Sequence, residues 1–188
     1  APQPRVASRL SANFVPSAIC HPATYLNKVL LGAPDGSMEL WNLRSRARVY
    51  AFAHGWDSAV VALGQAPSLD IIAVGLADGR VQLHQLKYDK TLMQFAHHEG
   101  AGAARSLAFR TDGEPWLVVG TADGTLTVWH LERRTKLVVL EDEHPGGGVA
   151  CAHFMRGAPH LLTAGVGDNA LRMWTADSGA GASAPLRP

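Results

Sequence analysis

The chain has 188 residues, 47% of them apolar, which is enough for one domain with a sizeable hydrophobic core. Charged residues make up only 18% of the chain and the formal net charge is +1, which excludes a long disordered tail and a strongly basic nucleic-acid arm. Two cysteines, Cys20 and Cys151, are too few for a disulfide framework, and Pro67 and Asp70 interrupt the longest apolar stretch, so we expect a reducing compartment and no membrane span.

An internal repeat begins with a glycine at positions 32, 75, 120 and 165, so successive copies are 43, 45 and 45 residues apart. Each glycine opens a short segment that ends in Asp-Gly or Asp-Asn, a pair that favours a tight hairpin turn. Nine positions after the glycine stands a large ring-bearing side chain: Trp41, His84, Trp129 or Trp174. Because both intervals recur in all four copies, the chain is predicted to consist of repeats of about 44 residues.

Four apolar segments in each repeat predict four strands joined by short turns, with no room for a crossover helix. The predicted first strands are Ser17–Cys20, Val60–Leu63, Arg105–Phe109 and Val149–Phe154. The second strands are Val29–Leu31, Ile71–Val74, Leu117–Val119 and Leu161–Ala164, and the third strands lead up to the ring-bearing positions. The fourth strands are Val49–Phe52, Leu92–Phe95 and Leu137–Leu140. No such segment directly follows Trp174, so the last repeat is predicted to lack its outer strand.

This pattern resembles the WD-repeat family, which implies an all-β propeller, here a partial one of about four blades with four antiparallel strands each. The predicted blades are residues 16–54, 55–98, 99–144 and 145–176, and residues 177–188 are predicted to be a flexible tail. Two arrangements stay open for residues 1–15. The blades form an arc with exposed flanking strands, or Arg5–Leu10 supplies the outer strand of blade four and closes a small ring.

The resemblance also implies a structural hydrogen-bond network in each blade, made by the turn aspartate, the ring-bearing residue and an upstream histidine. The candidate residues are Asp35, Asp78, Asp123, Asp168, Trp41, His84, Trp129, Trp174, His54, His98 and His144. The family often has Ser or Thr immediately before the repeat glycine, where this chain has Leu31, Val74, Val119 or Ala164. An incomplete network is therefore expected in every blade.

A closer resemblance is carried by four stretches: residues 21–32, 91–95, 106–113 and 168–174. They are similar, in sequence and in order, to the WD-repeat subunit family of the small-subunit processome. The resemblance implies a nucleolar scaffold of the U3 small nucleolar ribonucleoprotein that supports maturation of 18S ribosomal RNA. Other processome proteins are the implied partners, and contact with precursor ribosomal RNA or U3 RNA stays open. Family members are longer, with two propellers and a helical part, so a piece of the first propeller is expected. The alternative is a peptide-binding adaptor in ubiquitin ligation or signalling.

Motifs for catalysis, cofactors and metals are weak in this sequence. The segment 165–170 fits the G-x-G-x-x-A dinucleotide pattern, but residues 171–174 alternate as a strand where the fingerprint requires a helix. The nine histidines have no metal-ligand spacing, and His153 and His160, which straddle a turn, have no evident third ligand. No nucleophile is paired with a base. We therefore expect no enzyme activity, no cofactor, no metal and no small-molecule substrate.

Candidate contact residues lie in the predicted turns. Turns after the first and third strands carry eleven basic and five acidic side chains, whereas the opposite turns carry nine acidic side chains and Arg80. This difference predicts a basic face that contacts RNA phosphates or an acidic partner, with a merely solvated set of turns as the alternative. The candidates are Arg44, Arg46, Lys87, Lys90, Arg133, Arg134 and Lys136. Trp56, outside the repeat register, is a further contact candidate unless it packs over its loop.

Overall fold

A computed structural model describes residues 15–52, 55–96, 102–176 and 186–187, which form sixteen strands and no helix. Blade one contains β1 (Ala18–Cys20), β2 (Lys28–Gly32), β3 (Met38–Asn42) and β4 (Ala47–Ala51). Blade two contains β5 (Val60–Gln65), β6 (Ile71–Leu76), β7 (Val81–Gln85) and β8 (Lys90–Phe95). Blade three contains β9 (Ala104–Phe109), β10 (Trp116–Thr121), β11 (Leu126–His130) and β12 (Thr135–Leu140). Blade four contains β13 (Val149–Phe154), β14 (His160–Gly165), β15 (Leu171–Ala176) and β16 (Leu186–Arg187).

Each blade is an antiparallel sheet whose strands pair in chain order, so the predicted all-β class with four-stranded blades is confirmed. Consecutive strands pair because each Asp-Gly turn reverses the chain in a tight hairpin, with a glycine at positive φ at Gly36, Gly79 and Gly124. The ranges that the structure describes contain no helix long and apolar enough to cross a membrane.

The outer strand of blade four corrects the sequence analysis. Leu186–Arg187 pairs with Thr175 and Ala176, so the last repeat does have a fourth strand and the expected flexible tail is ordered at these two residues. Leu186 is buried and packs with Ala176 in the apolar cluster between blades three and four. The other outer strands follow their partners after four residues, but β16 follows after nine, so the repeat spacing does not mark it. Arg5–Leu10, the alternative outer strand, lies outside the described residues.

The blades pack side by side through their inner strands. Strands β1, β5, β9 and β13 contact one another in chain order, and no contact of similar extent joins β13 to β1 in the described part of the chain. One apolar cluster fills each of the three junctions between consecutive blades. The chain is therefore a partial propeller, as predicted, and its last blade has an open flank where Leu171 and Met173 are exposed.

Blade four also differs from the others in register. Trp129 pairs with Leu117, twelve positions earlier, and blades one and two have the same interval. Trp174 instead pairs with Leu161, thirteen positions earlier. A slip of one residue moves every side chain of a strand to the other face of the sheet. Thr163 consequently shares a face with Trp174, which positions the network described next.

Candidate functional site

A buried hydrogen-bond network connects the strands of blade four. The indole Nε1 of Trp174 donates to Thr163 Oγ1 at 2.9 Å, and Thr163 Oγ1 lies 2.8 Å from Nε2 of His144. Nδ1 of His144 lies 2.8 Å from Asp168 Oδ2. We assign the Thr163 hydroxyl as donor to Nε2 and the Nδ1 proton as donor to Asp168, in which case the contact of Arg172 Nη1 with Nδ1 at 2.8 Å is not a hydrogen bond. The expectation of an incomplete network is wrong for this blade. Ala164 lacks the hydroxyl that the family often has before the repeat glycine, but the register slip brings the hydroxyl of Thr163 into the network instead.

Asp168 is the charged end of this network. Arg172 Nη1 donates to its Oδ2 at 2.6 Å, and the backbone N–H of Ala170 donates to its Oδ1 at 3.0 Å. The hydrogen bonds from Arg172 and Ala170, followed by the contact with His144, hold the pKa of Asp168 well below its ordinary value. The carboxylate therefore stays ionised through the neutral range and fixes the orientation of His144.

The turn aspartates share one local role. In every blade the aspartate Oδ1 accepts the backbone N–H two residues further on, which closes the hairpin turn. The four aspartates are Asp35, Asp78, Asp123 and Asp168. At Asp123, burial opposes ionisation, but hydrogen bonds from the Thr121 hydroxyl and from the backbone N–H groups of Thr125 and Gly102 outweigh it and lower the pKa to about 2.

Trp56 is buried rather than available for contact. Its side chain is 7% exposed, and its Nε1 donates to Gln82 Oε1 at 2.6 Å. The backbone N–H of Trp56 donates to Gly36 O, as the backbone N–H of His144 donates to Gly124 O, so the two residues occupy equivalent positions. Trp56 therefore stands where the upstream histidine of blade two was expected. His54 and His98 lie outside the described residues.

Two further ring-bearing positions, Trp41 and His84, use other polar partners. Trp41 Nε1 donates to Glu39 at 2.8 Å, and Arg48 donates to the same carboxylate at 2.6 Å. His84 is fully buried, with Nε2 at 3.1 Å from Asp89 Oδ1. Tyr50 of blade one also donates to Asp89, so the β7–β8 turn connects two blades. Trp41 and His84 are therefore structural in geometry, since both side chains are buried and their ring nitrogens contact carboxylates of the same fold.

The predicted basic residues are all exposed, but they do not all lie in turns. Arg44 and Arg46 are in the β3–β4 turn, Lys87 is in the β7–β8 turn, and Arg133 and Arg134 are in the β11–β12 turn. Lys90 and Lys136 belong instead to outer strands β8 and β12, and Lys136 Nζ lies 5.2 Å from the Trp129 ring centroid. Within the described ranges, none of the seven makes an ion pair. They are therefore available for contact with an anionic partner.

Two arrangements among the described residues bear on metal binding and catalysis. No group of three His, Cys, Asp or Glu side chains in the described part of the chain could hold a metal ion. The hydroxyl–imidazole–carboxylate series Thr163–His144–Asp168 has the order of a catalytic triad. Thr163 and His144 are however completely buried, and the hydroxyl is already bonded to Trp174, so no substrate carbonyl could reach it.

Comparisons with known proteins agree with this architecture. The family model described as the WDR36/Utp21 first beta-propeller matches residues 4–177. Human WD repeat-containing protein 36 is 41% identical over 93% of this chain and 19% of its own length. The U3 small nucleolar RNA-associated protein 21 homolog of Schizosaccharomyces pombe is 39% identical over 95% of this chain and 20% of its own length. The chain thus spans about a fifth of these relatives.

A similar solved structure is that of U3-55K, with a TM-score of 0.74 and 19% identity. The alignment covers 88% of this chain and 50% of that one. At this level of identity the likeness concerns the fold alone.

Proposed function

Because the chain belongs to the family of the WDR36/Utp21 first β-propeller, we propose that it is a non-catalytic scaffold of the small-subunit processome. In this role it supports 18S ribosomal RNA processing and small-subunit biogenesis in the nucleolus, in contact with other processome proteins. The observation that carries the proposal is 39% identity, over 95% of the chain, to a protein named for its association with U3 small nucleolar RNA.

The distribution of polar groups supports a scaffold rather than an enzyme. Thr163, His144 and Trp174, which are hydrogen-bonded to one another, are all buried. They hold strands in register and face no solvent-filled site. The exposed polar groups are instead spread over turns, which is the arrangement expected of a surface that contacts large partners.

The basic face is the proposed contact surface of this scaffold. Its exposed members are Arg44, Arg46, Lys87, Lys90, Arg133, Arg134 and Lys136. Arginine suits phosphate and carboxylate groups because its planar guanidinium donates two parallel hydrogen bonds. If precursor ribosomal RNA is the partner, each phosphate contact releases counterions, so binding weakens steeply as the salt concentration rises.

A chimera tests the scaffold role. The matching segment of the Schizosaccharomyces pombe relative is replaced by this chain, the resident protein is depleted, and U3 RNA is measured after precipitation of the tagged chimera. We expect recovery of U3 RNA and of 18S precursor processing. A chimera that is stably produced but recovers neither would refute the proposed function.

Charge reversal in the same chimera tests the basic face. Arg44, Arg46, Arg133 and Arg134 are changed to Glu together, and the matched control changes them to Gln. Co-sedimentation with pre-ribosomal particles should fall more for the Glu variant than for the Gln variant. The co-sedimentation of the Gln variant should also depend less on the salt concentration than that of the parent. If the folded Glu variant co-sediments like the parent, contact occurs through another side of the propeller.

A further inference from the structure

A groove runs across the junction of blades two and three, at the turns that join first to second strands. Its deeper part is a cavity of about 300 Å³ whose apolar wall includes Ile71, Leu83 and Leu131. A second cavity, of about 480 Å³, adjoins it and extends to His153 and Arg156 of blade four. The two cavities share the residues Ala66, Pro67, Phe109 and Thr111, so they lie side by side.

One wall of the groove is held firmly in place. Arg110 Nε and Nη2 donate to the two carboxylate oxygens of Asp112 at 2.6 and 2.8 Å. The guanidinium also lies 4.4 Å from the Trp116 ring centroid, and Arg110 is only 4% exposed. A bidentate pair stacked on an aromatic ring fixes the β9–β10 turn. The groove is therefore preformed, which lowers the entropy lost when a ligand is ordered in it.

Charge differs between the two ends of the groove. Glu114 lines the deeper cavity, where Arg110 is already neutralised by Asp112. In the second cavity the ionisable side chains are His153 and Arg156, both exposed, and no carboxylate of the described residues lines it. A ligand should therefore place an apolar group in the deeper cavity and an anionic group beside Arg156.

The groove suits a protein segment better than RNA. Single-stranded nucleic acid is bound largely by stacking of bases on exposed aromatic rings. Phe109 and Trp116, the aromatic residues of the deeper cavity, are 8% and 4% exposed, so their ring faces are already covered. Aliphatic side chains need only a shaped apolar cavity. In an extended peptide, residues two positions apart point the same way at roughly 7 Å, so such a pair of side chains suits two adjoining cavities.

We infer that this groove binds an extended segment of a partner protein, with an aliphatic side chain between blades two and three and an acidic side chain beside Arg156. The inference goes beyond the proposed scaffold role, since it assigns a short linear ligand to a groove on the same face that includes none of Arg44, Arg46, Arg133 and Arg134. Loss of peptide binding and loss of U3 RNA recovery are therefore separate observations.

Selection from random twelve-residue peptides displayed on phage tests the inference on the 188-residue chain. Enriched peptides should share an aliphatic residue two positions from Asp or Glu. Fluorescence polarisation of the synthetic peptides then compares variants. Thr111→Trp, at an exposed position shared by both cavities, should weaken binding at least about tenfold, and Arg156→Glu about three- to tenfold. Ser45→Trp, exposed in the β3–β4 turn of blade one, is the matched control and should leave the affinity unchanged.

Several results would overturn the inference. One is a selection whose enriched peptides share no motif, and another is a set of peptides that bind Thr111→Trp as tightly as the parent. A third is an oligouridine probe that binds the parent but not Thr111→Trp, which would assign the groove to RNA. If circular dichroism shows that Thr111→Trp is misfolded, Ser68→Trp fills the deeper cavity from a different exposed turn and takes its place.

Discussion

Replacement of Thr163 by Val isolates the energetic role of the blade-four network. The two side chains have nearly the same shape, so the change removes one hydroxyl without creating a large cavity. Thr163 is fully buried and its oxygen is bonded to Trp174 Nε1 at 2.9 Å and to His144 Nε2 at 2.8 Å. Both partners are almost completely buried, so water could not readily replace the lost hydroxyl.

The expected magnitude follows from the two polar atoms left without a partner. Each buried, unsatisfied group costs about 1–3 kcal/mol, so Thr163→Val should lower the free energy of unfolding by about 2–6 kcal/mol. Thr163→Ser keeps the hydroxyl and loses one methyl group, so it should cost only about 1 kcal/mol. Urea unfolding measures both, provided that the m-value is unchanged. In a double-mutant cycle, Thr163→Val and Trp174→Phe should also be coupled by about 1 kcal/mol. If the Val variant is as stable as the Ser variant, the network contributes no net stability and the reasoning is wrong.

Three further predictions concern blade three. Trp129→Ala removes a buried aromatic side chain between blades two and three, so it should lower the free energy of unfolding in urea by about 3–5 kcal/mol. A variant that unfolds at the same urea concentration as the parent would contradict this packing. Asp123→Ala should lower the melting temperature at neutral pH. Folding lowers the pKa of Asp123 from 3.8 to about 2, so the ionised carboxylate stabilises the folded state fully above about pH 4 and loses this effect as the pH falls toward 2. In an acid titration of stability, Asp123→Ala should therefore lose less stability than the parent between these two pH values. Gly124→Ala should destabilise more than Gly113→Ala in thermal melts. Both glycines have positive φ, but only at Gly124 would the new Cβ meet the carbonyl oxygen of His144; equal melting temperatures would mean that this approach is not constrained.

Much of the fold was predictable because each blade repeats the same local chemistry. The Asp-Gly turns, the alternation before Trp129 and the apolar run at β10 fix a hairpin wherever they occur in order. The recurring glycine also has a packing reason. A Cβ at Gly120 would lie 2.6 Å from a side-chain carbon of Val149, so glycine permits close approach of the next inner strand. The interval between repeats therefore predicted both the strands and the order in which they pair.

The features that were not predicted depend on contacts distant in sequence. Strand β16 is recognised by the burial of Leu186 against Ala176, not by repeat spacing. Thr163 enters the network because the register of β14 against β15 shifts by one residue, which a gapless alignment on Gly165 hides. The backbone bond from Trp56 to Gly36 shows its equivalence to His144, but only once the blades are in place.

The complete network occurs in blade four, which, like blade one, packs against another blade on one side only in the described residues. In blade three, Leu126 and Val128 are fully buried at the junction with blade four, whereas the equivalent Leu171 and Met173 of blade four are 73% and 57% exposed. Blade four thus gains less stability from apolar burial within this chain, since that gain scales with the area removed from water. Thr163 and Trp174, on its covered face, connect strands β14 and β15 by side-chain hydrogen bonds in addition to the backbone ladder. Within this chain, these buried hydrogen bonds add to a smaller apolar contribution in blade four, so we expect Thr163→Val to have a large effect.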